Sequence, residues 1–180
     1  MQTTRTLHTA HLTLRTLKKD DASSKYLGWL HDPKVNRYLI SPTSNQTLES
    51  IEAYIDYCNA SSDTLLLGIF KDEKHIGNIK LGPIDTRHSN AALGLMIGET
   101  KEWSKGYASE SIQAISLYAF DSLGLKKLWA GCASSNLGSY RAFLKSGFSE
   151  EGRQHLQLQG DNGREDGVLL GRLHPSAVSH

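Results

Sequence analysis

The sequence predicts an α/β (α+β) fold: a single domain built on a mixed, mostly antiparallel sheet flanked by helices. Three observations carry this. Strand-like segments follow one another in the middle of the first half, strands alternate with amphipathic helices later, and 180 residues is the length of one domain at about 100–200 residues each. With glycine counted and tyrosine left out, the apolar share is about 43%. That suffices for a core, because a chain of this length buries about 70% of its unfolded surface.

In chain order, residues 11–15 alternate polar and apolar like a half-buried strand. Residues 18–21 form a polar break with helix-start character. Residues 22–39 group Trp29, Leu30, Val35, Tyr38 and Leu39 around Pro33, reading as one or two short helices. A loop is expected at residues 41–45. Thr47 then opens a helix whose Ile51, Tyr54, Ile55 and Cys58 fall at i, i+3, i+4 and i+7. Strands are predicted at 64–70 and 75–81 about a turn at 71–74, and, after Gly82, Pro83 and a polar loop, at 91–97. Ala108, Ile112, Ile115, Ala119 and Leu123 share one helical face, with Gly124 as the stop. Residues 127–133, apolar apart from Gly131 once past Lys127, predict a central strand covered on both faces. Asn136 suits the N-cap of a helix holding Tyr140, Phe143 and Leu144 and ending at Gly147. Residues 155–159 are expected to pair with 168–173 across a turn containing Asn162 and Gly163. The domain is expected to span 1–173, with a polar tail over 174–180.

Several function classes drop out. Twenty basic against nineteen acidic side chains leave a charge of +1, which gives no general attraction to nucleic acid or anionic lipid. No apolar run approaches the ~18 residues of a membrane span, and residues 1–15 lack a signal-peptide core. Cys58 and Cys132 form no CxxC, which fits a thiol-reducing cytoplasm. His8 and His11, three apart on the expected strand, would face opposite sides, so no metal site is expected from them.

The informative segment is Trp103-Ser104-Lys105-Gly106-Tyr107-Ala108-Ser109-Glu110, between a strand and an amphipathic helix. The first turn of a helix offers unpaired N–H groups and the positive end of the macrodipole. Gly106 lets the backbone approach a ligand, Ala108 is nearly as small, and Lys105 adds charge, which together suit an anion cradle. The same residues also read as a plain strand-to-helix turn. They match neither a P-loop nor a dinucleotide fingerprint.

This loop and the order of elements resemble the GCN5-related N-acetyltransferase (GNAT) superfamily, whose acetyl-CoA loop reads [Gln/Arg]-x-x-Gly-x-[Gly/Ala]. Gly106 and Ala108 match its last two fixed positions, and Trp103 stands where Gln or Arg is usual. That departure resembles the RimJ/RimL-type branch of ribosomal-protein-alanine N-acetyltransferases. Asn136 with Ser139, Lys145-x-Gly147-Phe148, the stretch Leu93-Gly94-Leu95-Met96-Ile97-Gly98, and Trp29 to Tyr38 are further matches, over about residues 5–173. The resemblance implies splayed central strands and acetyl-CoA as acetyl donor. Backbone groups of Met96 and Ile97 would then pair with its pantetheine arm, and the N–H groups of Ser104, Lys105, Gly106, Tyr107, Ala108 and Ser109 would hold its pyrophosphate. Asn136 would bond near the thioester and Ser139 near the sulfur, giving these two the catalytic assignment; their alternative is a cap and a first-turn residue. Trp103 has packing as its alternative. Self-association as a homodimer is also implied.

Acetyl transfer to an amine needs a neutral nitrogen, a seat for the oxyanion and a departing thiolate. Where many relatives carry a Glu base this chain has Ala92, and where many carry a Tyr acid it has Phe143. An α-amine at ~7.7–8.0 is substantially neutral near pH 7.5, whereas a lysine amine at ~10.4 is neutral about one part in a thousand. The site therefore suits a protein N-terminal amine or a weakly basic small amine such as an amino sugar. His88, Asp85, Glu99, His31 and Asp32 are other candidate bases, and Glu110 is expected to complement the helix start. By the same resemblance Trp29, Asp32, Asn36 and Tyr38 would wall the acceptor cleft, with helix packing and capping as their alternative. The function expected is N-acetyl transfer by direct attack in a ternary complex. A non-catalytic acyl-CoA-binding module and an unrelated nucleotide-binding domain are the alternatives.

Overall fold

The computed structural model describes residues 4–39, 45–161 and 163–177; the expectations for 41–44, Asn162 and 178–180 lie outside the described residues. One eight-stranded sheet has the order β1-β2-β3-β4-β5-β6-β8-β7. Its strands are β1 (Thr6–His8), β2 (Thr13–Thr16), β3 (Leu65–Lys71), β4 (Lys74–Asp85), β5 (Asn90–Ile97), β6 (Lys127–Ala133), β7 (Ser149–Gly160) and β8 (Gly163–Leu173). Every neighbouring pair is antiparallel except β5 with β6. The helices are α1 (Ser24–His31), α2 (Pro33–Asn36), α3 (Leu48–Ala60), α4 (Tyr107–Leu117) and α5 (Leu137–Lys145).

Two cores lie on opposite faces of the sheet. One packs Ile112 and Ile115 of α4 and Ala142 and Phe143 of α5 against Leu67, Ile79, Leu93, Leu128 and Leu170. The other packs Tyr26 and Trp29 of α1 and Ile51, Ile55 and Cys58 of α3 against Leu17, Leu66 and Phe70. Alternation along each strand divides the apolar residues between the two faces. Asn136 caps α5 as expected, through a bond from Ser139 N, and Thr47, expected to open α3, caps it through a bond from Ser50 N.

The differences have local causes. Residues 11–15 do not form one strand: β1 and β2 make a hairpin, and His11 lies in its turn while His8 ends β1. β4 runs on past Gly82 and Pro83 to Asp85, where a register shift absorbs the break that reads as a loop. α4 passes into a π turn over Tyr118–Ser122, which rotates Leu123 off the buried face to 38% exposure. β6 is central but covered on one face: Leu128 and Ala130 are buried, while Trp129 is 41% exposed. In the last hairpin Arg153 pairs with Val168 and Leu158 with Glu165, so residues 155–159 do not face 168–173. Irregularities between Glu150 and Gly152 and between Gln154 and Leu158 shift the register.

Candidate functional site: a strand fork beside an uncapped helix

β5 and β6 pair only at Asn90 with Lys127, Ala91 with Leu128 and Ala92 with Trp129. Beyond Ala92, β5 follows β4 to Ile97 while β6 follows β8 to Ala133, and a gap opens between them. Gly98 N donates to Ile76 O at 2.9 Å. In an antiparallel ladder the hydrogen-bonded pairs alternate, so Met96 and Gly94 also turn their peptide groups toward β4, and Ile97 and Leu95 turn theirs toward the gap. This corrects the expectation for Met96, whose backbone is committed to Asn78. Of that pair Ile97 alone faces the opening, and its carbonyl already accepts the Trp103 indole N–H at 2.7 Å. Trp103, 42% exposed, is therefore more than packing: it ties the following loop to the end of the splayed strand.

After a 3-10 turn at Thr100–Glu102, the loop bends through Ser104 (φ 62°) and Gly106 (φ 90°) into α4. Gly106 is the N-cap and offers no side chain, so the N–H groups of Tyr107, Ala108 and Ser109 have no partner within the helix. A Cβ built at Gly106 would meet nothing within 4 Å, so the space beside this turn into α4 is open. Donors, dipole and room suit a phosphate-bearing group. Tyr107 and Ser109 are themselves buried, so they present backbone only. Lys105 Nζ is held by Glu102 at 3.0 Å.

Glu110 turns away from the loop. Its Oε1 accepts Thr9 Oγ1 at 2.6 Å and His11 N at 2.9 Å, and its Oε2 lies 3.0 Å from His11 Nδ1. Burial raises the pKa of this carboxyl, but those bonds outweigh it and hold the group below the usual range. The first turn of α4 is thereby strapped to the β1–β2 turn, a contact 99 residues away in sequence that local patterns could not show.

α5 lies beside α4, with Ser146 Oγ donating to Ser109 O at 3.1 Å. At its start Asn136 Oδ1 accepts Ser139 N at 3.1 Å, so the cap reading of Asn136 holds, with its amide nitrogen left over. Ser139 is half-buried, and among the described residues its hydroxyl makes no hydrogen bond. Phe143 is 2% exposed, edge-on to Phe148, and stands in the core rather than at the fork. One turn earlier Tyr140 donates to Glu150 at 2.9 Å, which raises its pKa and points it toward β7.

On the opposite face the four expected acceptor residues divide. Trp29 is buried against His75, and a Cβ at Gly98 would collide with its ring. Asp32 caps α2 through Lys34 N, and Asn36 Nδ2 donates to Leu30 O at 2.8 Å. These three take the packing and capping roles that were their alternative. Tyr38 does reach across, donating to Ser135 O at 3.3 Å, while Arg37 pairs with Asp161 at 2.6 Å. Together they arch over a cavity of about 150 Å³ lined also by Arg164 and Glu165. The last hairpin's tip thus lines this cavity, and no local motif announced it. Trp129 was hidden for the opposite reason, since an apolar strand residue reads as core.

The other candidate bases lie outside the fork. His88 and Asp85 pair at 2.8 Å at the closed end of β5, Glu99 pairs with Lys25 at 3.3 Å, and His31 meets Gln46 O. Burial pushes both thiols up, Cys58 and Cys132 alike, which disfavours a covalent route.

Against known proteins, a family model described as "Acetyltransferase (GNAT) domain" matches residues 11–149. A relative from Bacillus subtilis (strain 168), named uncharacterized N-acetyltransferase YoaA, is 31% identical over 164 residues, covering 86% of this chain and 89% of its own. The fold matches a spermidine N-acetyltransferase from Vibrio cholerae, solved with CoA and spermine, with TM-score 0.84 at 19% identity over 95% of this chain and all of that one. It also matches a structure titled a putative ribosomal-protein-serine acetyltransferase from Vibrio cholerae, with TM-score 0.73 at 18% identity over 94% and 98% of the two chains.

Proposed function

Because the chain belongs to the GNAT acetyltransferase family, we propose that it transfers an acetyl group from acetyl-CoA to a primary amine by direct attack in a ternary complex. The observation that carries this reading is the uncapped start of α4 placed beside strands that part after Ala92. When bound, acetyl-CoA supplies an activated acyl group as a thioester. Toward it, the N–H groups of Tyr107, Ala108 and Ser109, with open space beside Gly106 and with Lys105 alongside, are suited to the pyrophosphate. The outward peptide groups of Leu95 and Ile97 can receive the pantetheine amides as an added strand would. The spare amide of Asn136 and the hydroxyl of Ser139 are the donors left at the start of α5 for the thiol end.

With Ala92 at the fork and Phe143 buried, neither usual proton carrier is in place. An amine largely neutral at working pH needs no strong base, and a thiol near pKa 8.5 can leave as thiolate with a hydroxyl donating to it. This favours an α-amine over a lysine side chain. The Lys105-Gly106-Tyr107-Ala108 loop with Trp103 before it supports the finer reading, a RimJ/RimL-type enzyme acting on a polypeptide N-terminus. The same two substitutions favour, as second reading, a module that binds acyl-CoA without turnover. Incubation with acetyl-CoA and a broad amine panel at pH 6–9, reading released thiol, separates them. Multiple turnovers establish the enzyme, and thermal stabilisation by CoA without thiol release establishes the module.

A further inference from the structure

On the face of the sheet that carries α1 and α3, Lys80 of β4 stands between Leu66 of β3 and Gly94 of β5. Cross-strand partners share a face, and Leu66 packs in the core under α3, so the Lys80 side chain rises on that same side. It is half-buried and leans toward α3, where its charge lowers the Cys58 thiol against the larger effect of burial. Among the described residues it makes no ion pair. Gly94, its neighbour at the fork, is exposed, and a Cβ there would meet nothing within 4 Å. A lysine stem spans one strand spacing, about 4.8 Å, so the ammonium can swing over this open backbone to the gap.

Of the other charges, Arg164 at the cavity is held by the carbonyls of Leu156 at 2.8 Å and Gln157 at 3.2 Å, and several more are paired. Lys127 pairs with Glu151 at 2.8 Å, Arg37 with Asp161, and Lys25 with Glu99. Glu165 accepts Ser135 N at 2.9 Å and Ser134 Oγ at 3.3 Å. Asp161 is taken up by Arg37 and Glu165 is held by neutral donors, whereas an anion would find the Lys80 ammonium beside open backbone.

Building on the transferase reading, we propose that the acceptor carries an anionic group within a few bonds of its amine, and that Lys80 is the specificity-determining residue that receives it. The chemistry is shared by a polypeptide N-terminus followed by an acidic residue and by a small amine bearing a phosphate. Two matched pairs separate these sources: Ala-Glu-Ala-Ala amide against Ala-Gln-Ala-Ala amide, and glucosamine 6-phosphate against glucosamine. Thiol release from acetyl-CoA is measured for each with wild type, Lys80→Gln, Lys80→Glu and Lys80→Met, the last keeping the apolar stem. Wild type is expected to favour the anionic member of at least one pair by about tenfold in kcat/KM. Lys80→Gln and Lys80→Met should bring the ratio near one, and Lys80→Glu below one, with thermal stabilisation by CoA alone unchanged. Turnover that ignores the charge, or a preference that survives Lys80→Met, overturns the inference and leaves the transferase reading standing. No thiol release from any panel amine overturns that reading, and this inference with it.

Discussion

Replacing Gly106 tests the cradle most directly. Its φ of 90° lies in the left-handed region, where a residue with a Cβ costs about 1–2 kcal/mol. No atom lies within 4 Å of the added Cβ, so collision contributes nothing to the free protein with Gly106→Ala. At 180 residues, that strain lowers Tm by about 2–8 °C. Binding suffers separately. A side chain at this N-cap would crowd a group approaching the N–H groups of Tyr107, Ala108 and Ser109, and each hydrogen bond to a charged acceptor contributes about 1.5–3 kcal/mol. Gly106→Val should therefore weaken CoA by at least about tenfold even if a single such bond is lost. Calorimetric titration with CoA gives the affinity, and a melt without ligand gives the strain. A lower Tm with unchanged affinity would show that the phosphates sit elsewhere, and the argument from the start of α4 would be refuted.

Three other perturbations probe the neighbouring contacts. Trp103→Phe keeps the ring and removes the N–H to Ile97 O. Losing about 1 kcal/mol of loop anchoring should raise the KM for acetyl-CoA about fivefold with kcat at saturation little changed, and an unchanged KM would make Trp103 mere packing. Ser139→Ala should lower kcat by more than it weakens CoA binding, and equal activity would reduce Ser139 to a first-turn residue. Glu110→Gln should cost about 1 kcal/mol or more of stability, read as a lower urea midpoint and faster exchange of the His11 amide. Because the folded carboxyl lies below its ordinary value, its contribution is complete above about pH 4.3 and is lost as pH falls through the lowered value. The gap between wild type and variant should close over that window; a constant gap would assign the effect to shape alone.

What the sequence made legible follows the range of its signals. Caps and helix faces are local, and Thr47, Asn136 and the Ile112–Ile115 face stand where their spacing put them. The parted strands came from family resemblance, since nothing in residues 91–97 or 127–133 says that they pair for only three residues. Register was illegible for the same reason. Which of Met96 and Ile97 faces the gap depends on the bond from Gly98 to Ile76, and the last hairpin depends on two irregularities. Burial was hard to read in both directions: Trp29, left between a wall and packing, is core, and Trp129, expected in the core, is open. An indole looks alike in either setting until the layer above it is known.

The Glu110 contacts with Thr9 and His11 make the edge of the sheet an outrigger for the helix that starts at Tyr107. The most peripheral strands, with three residues in the first and four in the second, therefore help to aim three amide hydrogens at the far end of a long loop in sequence. Alterations near residue 10, remote from any reacting atom, should register as changes in donor affinity before they register as unfolding.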